Sequence, residues 1–137
     1  MLRHSSFLAF ALLLLTALVL GCGPSTGGVS GTVTVNGQPA KAGIISFVPA
    51  DANGAPVTGE ISDGKYSLQA VAGAKRVQIS VPVVIGQRPE YNGPGAPLVE
   101  ITEESVPAKY NSETELTFDL KPGVNQKDWA VESNKRK

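Results

Sequence analysis

The stretch Gly59–Ala70 reads GEISDGKYSLQA, and its central Asp63-Gly64 dipeptide tolerates the positive φ angles that a tight hairpin turn demands. On the far side of that turn Tyr66 and Leu68 alternate with Lys65, Ser67 and Gln69, a period of two rather than 3.6. Gly59–Ser62 and Lys65–Ala70 therefore read as paired strands. The same alternation spreads outward along the chain. Val29, Gly31, Val33 and Val35 share one face against Ser30, Thr32 and Thr34. Val77, Ile79 and Val81 alternate with Arg76, Gln78 and Ser80 until Pro82 removes a donor and ends the ladder. Leu116, Phe118 and Leu120 alternate with Glu115, Thr117 and Asp119, and Trp129 and Val131 with Asp128, Ala130 and Glu132. Gly43–Val48 and Val99–Thr102 are strands of less regular pattern, and Asn36-Gly37, Asn53-Gly54 and Asn92-Gly93 supply further turns. Nothing after Cys22 shows a helical stripe. About seven half-buried strands bury one face each by stacking two sheets, so an all-β, antiparallel β-sandwich is predicted.

Composition bounds the rest. A chain of 137 residues predicts one domain, and Gly 15 with Pro 10 is too turn-rich for a helical bundle. Twelve basic against twelve acidic side chains leave no electrostatic footprint for nucleic acid. One cysteine makes no internal disulfide, and one cysteine with one histidine builds no zinc site of the cysteine-rich kind.

The N-terminus carries a different signal. Arg3 and His4 precede Phe7–Leu20, an uncharged apolar run of fourteen residues. As a helix this run spans about 21 Å, short of the ~30 Å hydrocarbon core, so it reads as a secretory signal peptide. Val19-Leu20-Gly21-Cys22 then resembles the lipobox of bacterial lipoproteins, with Leu20 in a position that more often holds Ala or Ser. The resemblance implies cleavage between Gly21 and Cys22, a diacylglycerol thioether on Cys22 and an N-acyl chain on its freed amine. It also accounts for the cysteine count, and several acyl chains anchor stably where one alone binds marginally. No other cofactor is expected. Residues 1–21 are thus assigned to the signal peptide, 22–28 to the lipidated cysteine and a tether of small residues, 29–132 to the sandwich and 133–137 to a basic tail. Gly23 after the cysteine resembles the outer-membrane sorting pattern. The expected location is the cell envelope, lipid-anchored to the outer membrane and facing the periplasm or the surface.

One segment breaks the strand pattern. Val84–Pro97 contains Gly86, Pro89, Gly93, Pro94, Gly95 and Pro97, and reads as a long loop rather than a hairpin. Arg88 and Tyr91 lie within it, and both residue types are enriched at binding hot spots, so they form the candidate partner-binding rim. The competing reading has Tyr91 folding back over the sheet end.

Val29–Gln38 (VSGTVTVNGQ) with Pro39, Ile44–Pro49 (IISFVP) and Gly59–Leu68 (GEISDGKYSL) together resemble a carboxypeptidase regulatory-like, transthyretin-like domain. Val106–Asn111 (VPAKYN) resembles a segment of small bacterial lipoproteins of this type. These are turn and core features, so the resemblance implies a transthyretin-like or Ig-like sandwich and hardly specifies activity. The wider group includes a hydroxyisourate hydrolase that uses histidines and a C-terminal Tyr-Arg-Gly-Ser. The only histidine here, His4, leaves with the signal, and the chain ends Ser133-Asn134-Lys135-Arg136-Lys137.

No catalytic residue is assigned. Serines lack a histidine base; Glu103 and Glu104 diverge if extended, and Glu113 and Glu115 lie on a solvated stripe. Asp51-Ala52-Asn53-Gly54 starts like a calcium loop, but Ala55-Pro56 follow where ligands are needed, so it reads as a turn and no metal is assigned. Lys135-Arg136-Lys137 offers charge to anionic headgroups or polysaccharide, and otherwise is a solvated terminus. The expected function is a non-catalytic binding or structural module, with the membrane and an envelope protein or polysaccharide as partners. The alternative is a glycan-binding or small-ligand-binding lipoprotein that assists substrate capture. For glycan stacking only Tyr91, Tyr110 and Trp129 are available, and alternation places Trp129 in the core.

Overall fold

The computed structural model describes residues 21 and 23–134; residues 1–20 of the expected signal peptide, Cys22 and residues 135–137 of the expected tail lie outside the described residues. The chain is a β-sandwich, as its alternation predicts. The strands are β1 (Thr26–Val35), β2 (Gln38–Pro39), β3 (Ala42–Pro49), β4 (Val57–Ser62), β5 (Lys65–Val71), β6 (Gly73–Ser80), β7 (Pro82–Pro89), β8 (Leu98–Glu104), β9 (Thr117–Leu120), β10 (Gly123–Gln126) and β11 (Trp129–Val131). A single 3₁₀ turn, Ala108–Tyr110, interrupts them among the described residues.

Nine strands form one curled sheet in the order β10-β1-β5-β4-β3-β6-β9, with β2 and β11 also on β1. The β4–β5 connection is the expected hairpin: Asp63 and Gly64 both hold positive φ, 49° and 76°. Only Ser62 and Lys65 pair across it, so the sheet folds over there into two facing leaves. One leaf is β1 and β5 with the short strands on β1, and the other is β4-β3-β6-β9. Most pairings are antiparallel, but β10 and β11 run parallel to β1.

Inward positions of both leaves meet in one core, whose largest fully buried side chains include Phe47, Ile45, Ile61, Ile79, Leu120 and Val29. Phe118 bridges two aromatics at near-perpendicular angles, Phe47 at 6.1 Å and Trp129 at 6.5 Å between centroids. Tyr66 completes the cluster. Its hydroxyl donates to the Lys127 carbonyl at 2.7 Å and accepts from Trp129 Nε1 at 3.2 Å, so neither buried polar atom lacks a partner.

Two segments differ from the sequence reading. The first strand begins at Thr26, so Thr26–Gly28 of the expected tether are paired with β5 and Gly27 and Gly28 also with β10. Gly27 is required there because a Cβ would stand 2.2 Å from the Lys121 carbonyl oxygen. The second is Val84–Pro97, which is no simple loop: Val84–Pro89 belongs to β7, paired antiparallel with β8, and only Glu90–Pro97 connects them. Ile85 is the extra residue of a bulge between Val84 and Gly86, and Pro82 and Pro89 sit at strand ends.

Candidate functional site

The two ends of the sandwich differ in what they carry. Ten extended residues make β1 about 33 Å long at ~3.3 Å per residue. At its Thr26 end lie the close of β5 (Thr26 opposite Val71), the start of β10 and the bond from Ala72 N–H to the Ser25 carbonyl, 2.8 Å. At its Val35 end lie the Asp63-Gly64 turn, the close of β11 and the end of β6, where Ser80 faces Ile44. The chain thus enters at one end from the direction of Cys22, and the β7–β8 hairpin springs from the other.

That hairpin is an arm with its own two-stranded sheet. None of Pro82–Glu104 is fully buried, while Val84, Ile85, Tyr91 and Leu98 are all 47–63 % exposed. An isolated two-stranded ribbon is marginal in water, so its attachment to the body matters. Glu104 supplies it: one carboxylate oxygen accepts the Val81 and Val106 N–H groups at 2.9 and 3.2 Å, and the other accepts the Ser80 hydroxyl at 2.5 Å. Ser105 adds a hydroxyl bond to the Val81 carbonyl, 2.5 Å. Glu104 is therefore a structural clamp, and Glu103 diverges from it on the strand.

Arg88 lies on β7 opposite Val99, and Tyr91 lies in the connecting loop; both are exposed. The structure places both on the outer half of one arm, with neither a hydrogen bond nor a cation–π pair between them. Tyr91 lies alongside Gly93 of its own loop and remains 54 % exposed, so it does not cover the sheet end. The arm as a whole is acidic: Glu90 and Glu100 lie near Arg88, and Glu103 and Glu104 lie at its base. At the arm's base opens a groove of about 630 Å³ lined mainly by Val35, Pro39, Ala40, Val81, Val83 and Val84. Sequence reading missed this groove, because it joins residues from β1, β2 and the arm that only the fold brings together.

The other sequence candidates fall into place. Trp129 is 7 % exposed, with the Lys127 ammonium 5.0 Å from its ring centroid, which leaves no face for stacking a sugar. Tyr110 is half-buried against the core with Lys109 5.0 Å from its ring. Asp51 accepts the Asn53 N–H at 3.0 Å, the turn its sequence suggests, and this bond lowers its pKa below the ordinary carboxylate value. Glu113 and Glu115 are exposed. Among the described residues no group of three or more metal-ligating side chains converges, and no helix is long and apolar enough to cross a membrane.

No family model and no curated protein matches this chain. A solved structure with similarity is the crystal structure of a DUF3823 family protein from Parabacteroides merdae, 16 % identical, with a TM-score of 0.39. The match covers 81 % of this chain and 47 % of that one, so this chain spans about half the length of its neighbour.

Proposed function

We propose that this protein is a lipid-anchored module of the bacterial cell envelope that holds a non-catalytic recognition arm away from the membrane. The observation that carries this reading is the arm itself. It presents four exposed large apolar side chains, owns no buried residue, and stands at the end of the sandwich opposite the entry from Cys22. The lipobox-like Val19-Leu20-Gly21-Cys22 supports the anchor, which places the Thr26 end of β1 next to the bilayer and the arm some 30 Å further out, at ~3.3 Å per strand residue. The carboxypeptidase regulatory-like pattern of turns and strands agrees with a domain that binds or supports rather than reacts.

The partner that fits is a protein surface with an apolar patch in basic surroundings. An extended segment of such a partner can add to a free edge of the arm through main-chain hydrogen bonds while Tyr91 and Arg88 anchor it. Four glutamates against one arginine on the arm disfavour a second copy of the same arm. The Asn134 N–H bonds the Ser105 carbonyl at 2.7 Å beside the arm, so the last described residue lies at the end remote from the proposed anchor.

A photo-crosslinking residue placed at Tyr91 tests this in cells, with the same residue at Val124, 97 % exposed near the entry end, as control. A discrete protein adduct at position 91, absent at 124 and weakened by Arg88→Ala, is the expected result. Equal adducts at both positions, or none at either, contradict an arm built for recognition.

A further inference from the structure

At the end of the sandwich remote from the arm, Lys75 is the one buried charged side chain among the described residues, 5 % exposed. The alternation of β6 sets it on the inward face with Val77 and Ile79, opposite Pro49 of β3 and Phe118 of β9. Its ammonium has neither a hydrogen bond nor an ion pair. Among the described residues no buried side-chain nitrogen is left without a partner, so the Lys75 stem is packed while its ammonium opens into the adjoining cavity. A methionine would fill the place of the stem, so what the lysine adds is a positive charge presented to that cavity.

Lys75 lines a cavity of about 190 Å³ between the β3–β4 loop and the β5–β6 turn, along with Asp51, Asn53 and Gly54. Asp51 is exposed, and its carboxylate is fixed by the Asn53 N–H at 3.0 Å. The two opposite charges share one cavity without closing on each other as an ion pair. A simple anion would meet Asp51 as a repulsion, and a simple cation would meet Lys75 in the same way. A ligand that carries both signs matches both walls.

We propose that this cavity binds a small zwitterion, its carboxylate or phosphate on the Lys75 ammonium and its own ammonium on the Asp51 carboxylate. Two sources share that chemistry: a free amino acid, and the phosphoethanolamine headgroup of a membrane phospholipid. The Ala72–Ser25 bond puts the cavity's β5–β6 wall at the chain's entry from Cys22, which brings a headgroup within reach. The anchoring proposed above bears on this source alone and not on the cavity.

Titration of the isotope-labelled full chain in detergent with O-phosphoethanolamine, glycine and inorganic phosphate tests the proposal by amide chemical shifts. At least one zwitterion should saturate shifts at residues 51–54 and 72–75 and bind more tightly than phosphate. Lys75→Met should weaken every such ligand about tenfold or more, the scale of one charge-assisted hydrogen bond. Asp51→Asn should weaken the zwitterion comparably yet leave phosphate equal or tighter. Asp51 is exposed, so that variant reports even where Lys75→Met disturbs folding. Nanodiscs of phosphatidylethanolamine, compared with phosphatidylglycerol, separate the sources: shifts at 51–54 with the former assign the headgroup, and shifts with added glycine alone assign the free amino acid. Absence of saturable shifts, phosphate binding as tightly as either zwitterion, or indifference to Asp51→Asn would overturn the site. Failure of anchoring would show instead as an unmodified Cys22, with the free-ligand titrations unaffected.

Discussion

Gly31→Ala is the substitution by which the crossing at the middle of β1 can be weighed. Between the stretches of β1 that pair with β10 and with β11, the chain at Lys127 and Asp128 passes directly over Gly31. A Cβ at this position would stand 1.9 Å from the Lys127 carbonyl oxygen and 2.6 Å from its carbon, backbone atoms that have no rotamer to escape by. Overpacking of this kind costs about 1–3 kcal/mol. The displaced carbonyl is also the acceptor of the Tyr66 hydroxyl, and the neighbouring Lys127 N–H and Asp128 carboxylate bond to Ser30 and Thr32. Loss of one or two of these bonds adds roughly 1 kcal/mol each, while removing a strand glycine returns about 0.5–1 kcal/mol. The net expectation is a loss of about 1–4 kcal/mol, read from urea unfolding followed by the fluorescence of Trp129, the only tryptophan. Gly28→Ala is the control: its nearest neighbours would lie 3.8 Å away, so it should show the gain of about 0.5–1 kcal/mol with no clash to offset it. Gly31→Ala and Tyr66→Phe act on the same carbonyl, so their effects should be non-additive by ~0.5 kcal/mol or more. A Gly31→Ala chain as stable as the parent, or strictly additive with Tyr66→Phe, would refute the close crossing.

Three further outcomes are expected. Glu104→Ala leaves the Val81 and Val106 N–H groups without their acceptor and should cost about 1–3 kcal/mol, with faster amide exchange across β7 and β8; Glu104→Gln, which keeps an acceptor oxygen, should cost less. Burial pushes the Tyr66 phenol from 10.0 up to about 12, so the folded chain keeps a proton that the unfolded chain gives up. Stability from this source is complete below pH 10 and falls as the pH rises towards 12; urea midpoints across that window should show the slope, and Tyr66→Phe should flatten it. Replacing Arg88 and Tyr91 together by alanine should leave the urea midpoint within about 0.5 kcal/mol of the parent, since both are exposed, while abolishing capture of the arm's partner in pull-down from envelope extracts. Unchanged capture would move recognition to an edge of the main sheet.

The sandwich was legible wherever an apolar residue alternates with a polar one beside a turn dipeptide. Asp63-Gly64 with Tyr66 and Leu68 is the clearest case, and Trp129 and Val131 fall in the core as their parity says. Gly27-Gly28 read as tether because glycine contributes nothing to an alternation; the reason for Gly27, the Lys121 carbonyl, comes from a segment remote in sequence. The arm escaped because a ribbon that buries no side chain needs no regular apolar face, and its bulge at Ile85 shifts what pattern remains. Parity does place Lys75 inward with Val77 and Ile79, but a lysine at a strand's start also reads as a solvated end. Its cavity is shared with Asp51, Asn53 and Gly54 of the β3–β4 loop, and no short-range pattern encodes that meeting.

Intact-mass measurement of the protein purified from the membrane fraction in detergent bears on the whole arrangement, because the proposed anchor would fix which end of the sandwich faces the bilayer. The expected species begins at Cys22 and carries a diacylglyceryl thioether with an acylated amine, and Cys22→Ser should instead retain the uncut chain from Met1. A wild-type chain that keeps residues 1–21 and a free thiol at Cys22 would contradict the anchor, and with it the outward placement of the arm.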